Sequence, residues 1–177
     1  MDNIIPAETI TIKRKLNCKE EGAVLLKTNC YTMVAGVGKG NTGLNAFDNA
    51  LYHAGVGNYN LIKVSSILPP KSKEEVKVNV VPGAILPIAY GSIGTKESGK
   101  RIVASVGVGI PKDLEKIGVI MEYSGFGEEK QAEIIVQEMV QEAMINRNIE
   151  IMEIKCISCS CFTDSDFCCV FAGIALW

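Results

Sequence analysis

Five short apolar runs, at residues 61–67, 76–81, 85–90, 102–110 and 117–123, follow one another through the middle of this chain with Gly-, Pro- and charge-rich breaks between them. Segments of that kind satisfy their backbone groups by pairing, so the middle of the chain is sheet. A strand pattern at 31–37 precedes them, and strand patterns at 149–161 and 168–175 close the chain. Two helices break the series. One, at 42–54, carries the apolar stripe Leu44, Phe47, Leu51 and Ala54, with Gly36, Gly38, Gly40 and Gly43 ahead of it reading as a tight strand-to-helix connection. The other, at 129–146, places Ala132, Ile135, Val136, Met139, Val140 and Ala143 on one face and glutamates and glutamines on the other. Sheet plus two one-faced helices predicts an α/β layered sandwich. At 177 residues, without internal repeat or linker, residues 1–177 read as a single domain.

Charge excludes some partners. Eighteen basic against 20 acidic residues give a net charge of −2, so no broad cationic field exists to attract nucleic acid or an anionic membrane, and small molecules or other subunits are the expected partners. The opening residues, with Asp2, Glu8 and Lys13-Arg14-Lys15, lack the apolar run of a signal peptide or membrane span, which predicts a cytoplasmic location. Residues 1–29 form an N-terminal extension of unknown role, with a strand-like alternation at 9–12. An odd count of seven cysteines without a secretion signal predicts reduced thiols. Cys156, Cys159, Cys161, Cys168 and Cys169 crowd the C-terminal end. On a strand, however, Cys156 and Cys159 point to opposite faces, so small packed side chains are expected there and no metal. The Gly38-Lys39-Gly40-Asn41-Thr42 turn lacks the Gly spacing and the Ser or Thr after lysine that a phosphate loop needs.

Chemistry enters at Asn60-Leu61-Ile62-Lys63-Val64-Ser65-Ser66-Ile67-Leu68-Pro69-Pro70, where an apolar strand runs into two serines and is stopped by two prolines. Such a pair can simply end a strand. It can also make a cofactor. If Ser66 Oγ attacks the Ser65 carbonyl, the peptide rearranges to an ester. Elimination and loss of ammonia then leave residue 66 as an N-terminal pyruvoyl group, with fragments of 65 and 112 residues (177 − 65 = 112).

The surrounding landmarks favour the second outcome. Gly43-Leu44-Asn45-Ala46-Phe47-Asp48-Asn49-Ala50-Leu51, Ala54-Gly55-Val56-Gly57-Asn58, the serine pair, and downstream Pro82-Gly83-Ala84, Ala89-Tyr90-Gly91, Ile110-Pro111-Lys112-Asp113, Gly118-Val119-Ile120-Met121-Glu122-Tyr123 and Ala172-Gly173-Ile174-Ala175-Leu176-Trp177 resemble, in order and spacing, the pyruvoyl-dependent arginine decarboxylases. The resemblance covers about residues 31–177. It implies an αββα sandwich of the pyruvoyl-dependent histidine/arginine decarboxylase type with mainly antiparallel sheets. It implies a zymogen that cuts itself between Ser65 and Ser66 into β fragment 1–65 and α fragment 66–177. The expected reaction is decarboxylation of L-arginine to agmatine through a Schiff base to the pyruvoyl group, without pyridoxal phosphate or metal, in trimers whose active sites lie between subunits. By the same resemblance Ser66 is the pyruvoyl precursor and Glu122 the proton donor. Asn60 is placed to hydrogen-bond the carbonyl chemistry at the cleavage point, and Asp48 meets the guanidinium. From the residues alone, Asn60 reads as a polar strand start, Asp48 as an exposed helical carboxylate and His53 as a packing or surface histidine. Strand alternation nevertheless puts Glu122 on the face of Gly118 and Ile120, where a carboxyl loses water and its pKa rises. Two alternatives stand beside this reading: the same chemistry on histidine or aspartate, and an unprocessed assembly or binding paralogue.

Overall fold

A computed structural model describes residues 28–177. The predicted extension at 1–29, with its strand-like 9–12 alternation, falls almost wholly outside the described residues. Along the chain come β1 (Cys30–Gly40), α1 (Gly43–His53), β2 (Asn60–Lys63), β3 (Ile67–Leu68), β4 (Lys73–Glu74), β5 (Ile85–Thr95), β6 (Arg101–Pro111), β7 (Gly118–Phe126), α2 (Glu129–Ile145), β8 (Ile151–Phe162) and β9 (Phe167–Leu176). They form two sheets, ordered β2-β5-β9-β1-β4 and β3-β7-β6-β8, mainly antiparallel, with β2–β5 and β1–β4 the parallel pairs.

Four layers result, because each sheet has one face for its partner sheet and one for a helix. Between the sheets Ala104, Val106 and Val108 of β6 meet Val170, Ala172 and Ile174 of β9. Under α1 lie Val34, Leu86, Ile88 and Phe171; under α2, Val119 packs with Val140 and Met144. This is the expected αββα sandwich. Among the described residues no helix is long and apolar enough to cross a membrane.

Several details depart from the sequence reading. Gly36 and Gly38 belong to β1 itself, not to the connection after it: a Cβ on either would collide with the α1 backbone at Ala50 or Ala46. So close a helix buries only small residues, Ala46 and Ala50, while Phe47 and Leu51 are partly covered. Leu44, expected in the buried stripe, is 77% exposed. The run at 76–81 forms no strand and leaves Val76 in solvent; the edge beside β1 is taken by the two residues of β4. The cysteines are not all reduced. Cys161 and Cys168 form a disulfide, because the β8–β9 connection carries the chain from one sheet to the other and sets these two side chains opposite each other across the core. Cys30, Cys156, Cys159 and Cys169 are free thiols.

Candidate active site

The predicted strand at 61–67 is two strands, and the break between them makes the site. β2 ends at Lys63 on the edge of one sheet, β3 begins at Ile67 on the edge of the other, and residues 64–66 cross between the layers. Val64 N–H donates to the Ile88 carbonyl on the first sheet (3.1 Å), while Ile120 N–H on the second donates to the Ser66 carbonyl (2.9 Å). The serine pair is thus pinned from both sides at the open rim of the sandwich. Ile67 N–H also donates to the Ser65 carbonyl (2.9 Å), closing a three-residue turn around Ser66. The carbonyl oxygen that would gain charge under attack by Ser66 Oγ therefore has a donor in place.

Glu122 lies on β7 on the face that looks between the sheets, as the alternation of that strand requires. Loss of water raises its pKa above the ordinary carboxylate value; the Lys63 ammonium and a hydrogen bond with Ser66 pull the other way. Lys63 Nζ stands 3.8 Å from Glu122 Oε1 and 4.6 Å from the centre of the Tyr90 ring. Ser66, Lys63, Tyr90 and Glu122 form one cluster.

Asn60 opens β2, and its amide donates to the Gly83 carbonyl at 2.6 Å. Asp48 is exposed on α1, on the helix face it shares with Leu44 and Tyr52, which are 77% and 64% exposed. His53 is held through Nδ1 against the Val37 carbonyl oxygen at 2.6 Å. Among the described residues no three His, Cys, Asp or Glu side chains gather as a metal site would need.

Residues 30–175 match the model of a protein family described as pyruvoyl-dependent arginine decarboxylase. The chain belongs to that family. Relatives named pyruvoyl-dependent arginine decarboxylase include one from Methanococcus aeolicus, 43% identical over 149 residues, covering 84% of this chain and 90% of the relative. Another, from Methanocaldococcus jannaschii, is 42% identical over the same shares of each chain. A third, from Thermococcus kodakarensis, is 45% identical over 125 residues, 70% of this chain and 79% of the relative.

Two members of this cluster were not singled out from the sequence. Ile67 contributes a backbone N–H, which no side-chain motif announces. Lys63 looked like an ordinary charged residue of a strand, and only the crossing from one sheet to the other brings its ammonium to Glu122.

Proposed function

We propose that this chain is a self-processing pyruvoyl-dependent decarboxylase of L-arginine, releasing agmatine and CO2. Membership of the family supports the activity. The observation that carries the assignment of residues is the position of Ser66: pinned between two sheets, its preceding carbonyl already hydrogen-bonded, its hydroxyl beside the half-buried carboxyl of Glu122.

In self-cleavage Ser66 Oγ attacks the Ser65 carbonyl carbon, the Ser65–Ser66 C–N bond breaks and an ester forms, with Ile67 N–H stabilising the oxyanion. Elimination frees the Ser65 carboxylate, and hydrolysis with loss of ammonia completes the pyruvoyl group. The surroundings of residue 66 fit that group, because they combine a carboxyl able to carry a proton with a rim open to a small substrate. When formed, the pyruvoyl ketone supplies an electron sink for the pair left at Cα as CO2 departs. Glu122, whose pKa loss of water raises, is the acid that delivers the proton to Cα.

Asp48 receives the guanidinium, for which a carboxylate is the matching bidentate acceptor. Asp48 is exposed on α1, so we propose that it completes the site of a neighbouring copy in a trimer. The exposed apolar companions of Asp48, Leu44 and Tyr52, support a subunit contact at that helix face.

Ser66→Ala tests the processing. The variant should remain a single 19.1 kDa chain and release no CO2 from arginine, while the unsubstituted protein gives two fragments and turns over. Normal cleavage of Ser66→Ala by intact mass would refute the reading.

A further inference from the structure

The proposed reaction leaves Lys63 without a task, although its ammonium is 3.8 Å from the carboxyl that donates the proton. Lys63 is the last residue of β2, on an edge strand, and its Nζ lies 4.6 Å from the centre of the Tyr90 ring. The ring face attracts the cation and limits where the side chain can go, so the charge is kept close to Glu122. The groups facing Glu122 are few. β2 supplies Lys63, the crossing segment supplies the Ser66 hydroxyl, β5 supplies Tyr90 beneath Lys63 and Gly91 against the Tyr123 backbone and the Glu122 Cβ, and β6 presents Val106 in the ladder. Among the described residues Lys63 is the charged side chain that acts on Glu122.

We infer that Lys63 is a positioning residue for the decarboxylation, holding the Glu122 carboxyl toward residue 66 and stabilising the carboxylate that forms there as the proton is given up. The inference rests on Glu122 being the donor. Proton delivery to Cα turns a neutral acid into an anion in a half-buried place, and an anion there is costly unless a cation is at hand. Lys63 is that cation. It cannot do the reverse service, because a positive charge disfavours the protonated form.

Loss of the charge therefore has two linked effects. The acid becomes weaker, so it gives up its proton more slowly, but it stays protonated to a higher pH. Cleaved Lys63→Met should show kcat for arginine lowered about threefold to tenfold, with the alkaline limb of the pH profile moved upward by about half a pH unit or more, the scale of a partly exposed ion pair. KM should change little, since Lys63 touches the acid and not the substrate. Lys63→Arg keeps the charge and the ring contact and should restore both the plateau and the limb. A side chain that merely filled space would lower kcat without moving the limb.

The same question can be put to the uncut chain, so it survives a failure of Lys63→Met to process. In a Ser66→Ala background, the Glu122 side-chain carboxyl should titrate higher by about half a pH unit when Lys63→Met is added, followed by carbon NMR. Unchanged titration, an unmoved alkaline limb, or a raised KM at constant kcat each overturns the role given to Lys63. Glu122→Gln separates this inference from its foundation. If cleaved Glu122→Gln turns over at a near-normal rate, the donor itself was misassigned. If it is slow while Lys63→Met behaves like the unsubstituted enzyme, only Lys63 is wrong.

Discussion

Ser66 combines two kinds of control that belong to different neighbours. Its backbone is fixed by Ile67 and Ile120, and its side chain faces Glu122, so in the proposed reaction geometry for cutting would come from strand ends and proton supply from a strand interior. The proposed function gives substrate choice to Asp48, outside that cluster. Asp48→Asn preserves shape and removes charge; it should leave self-cleavage intact and cost about 1.5–3 kcal/mol of arginine binding, read as a KM raised roughly tenfold to a hundredfold. Lysine, a point charge without the planar fork, should be a poor substrate of the unsubstituted enzyme. Unaltered arginine kinetics in Asp48→Asn would remove that carboxylate from the site. Alternation along β7 made the direction of Glu122 readable, because period two fixes which face a strand residue takes. Lys63 was unreadable for a converse reason: its partner lies on another sheet, and nothing local encodes which edge the chain crosses to.

The α1 helix and strand β1 behave as one element, joined by glycine backbone. A Cβ at Gly38 would press on the carbonyl of Ala46 and the amide of Ala50, neither of which can move without unwinding the helix. Gly38→Val should cost about 3 kcal/mol or more, seen as a lower denaturant midpoint or insoluble protein. Gly43→Ala is the control, since its Cβ would only touch the Phe167 ring at 3.8 Å. Equal stability of the two variants would mean the helix has room to lift away. Both helices were legible from their apolar period to within one or two residues, and most strands from their runs. The run at 76–81 misled because composition offers strand potential but cannot supply a neighbour to pair with. The Cys161–Cys168 bond was hidden similarly: its two ends share a core only because consecutive strands lie in opposite sheets.

At the scale of the whole molecule, the proposed cut after Ser65 would not divide the fold where it divides the sequence. Fragment 1–65 owns α1 and the strands β1 and β2, which sit in one sheet with β5 and β9 of fragment 66–177 between them and β4, also of that fragment, beyond β1. The end of the long fragment is tied back to the start of β1 as well: Trp177 and Cys30 exchange backbone hydrogen bonds at 2.7 and 3.0 Å, and Trp177 Nε1 donates to Thr32 Oγ1 at 3.1 Å. The proposed maturation would thus change the molecularity of folding. Before the cut, burial of Trp177, the one tryptophan, is an event within a single chain; afterwards it needs an encounter between two. After denaturation, fluorescence should recover in Ser66→Ala at a rate independent of concentration in its first phase, whereas the mature protein should recover more slowly on dilution. Equal, concentration-independent recovery would show that the fragments stay together in denaturant. With its two pieces interleaved and no peptide bond holding them together, the mature protein would depend on slow unfolding more than the uncut chain does, because every refolding would need the two fragments to meet again.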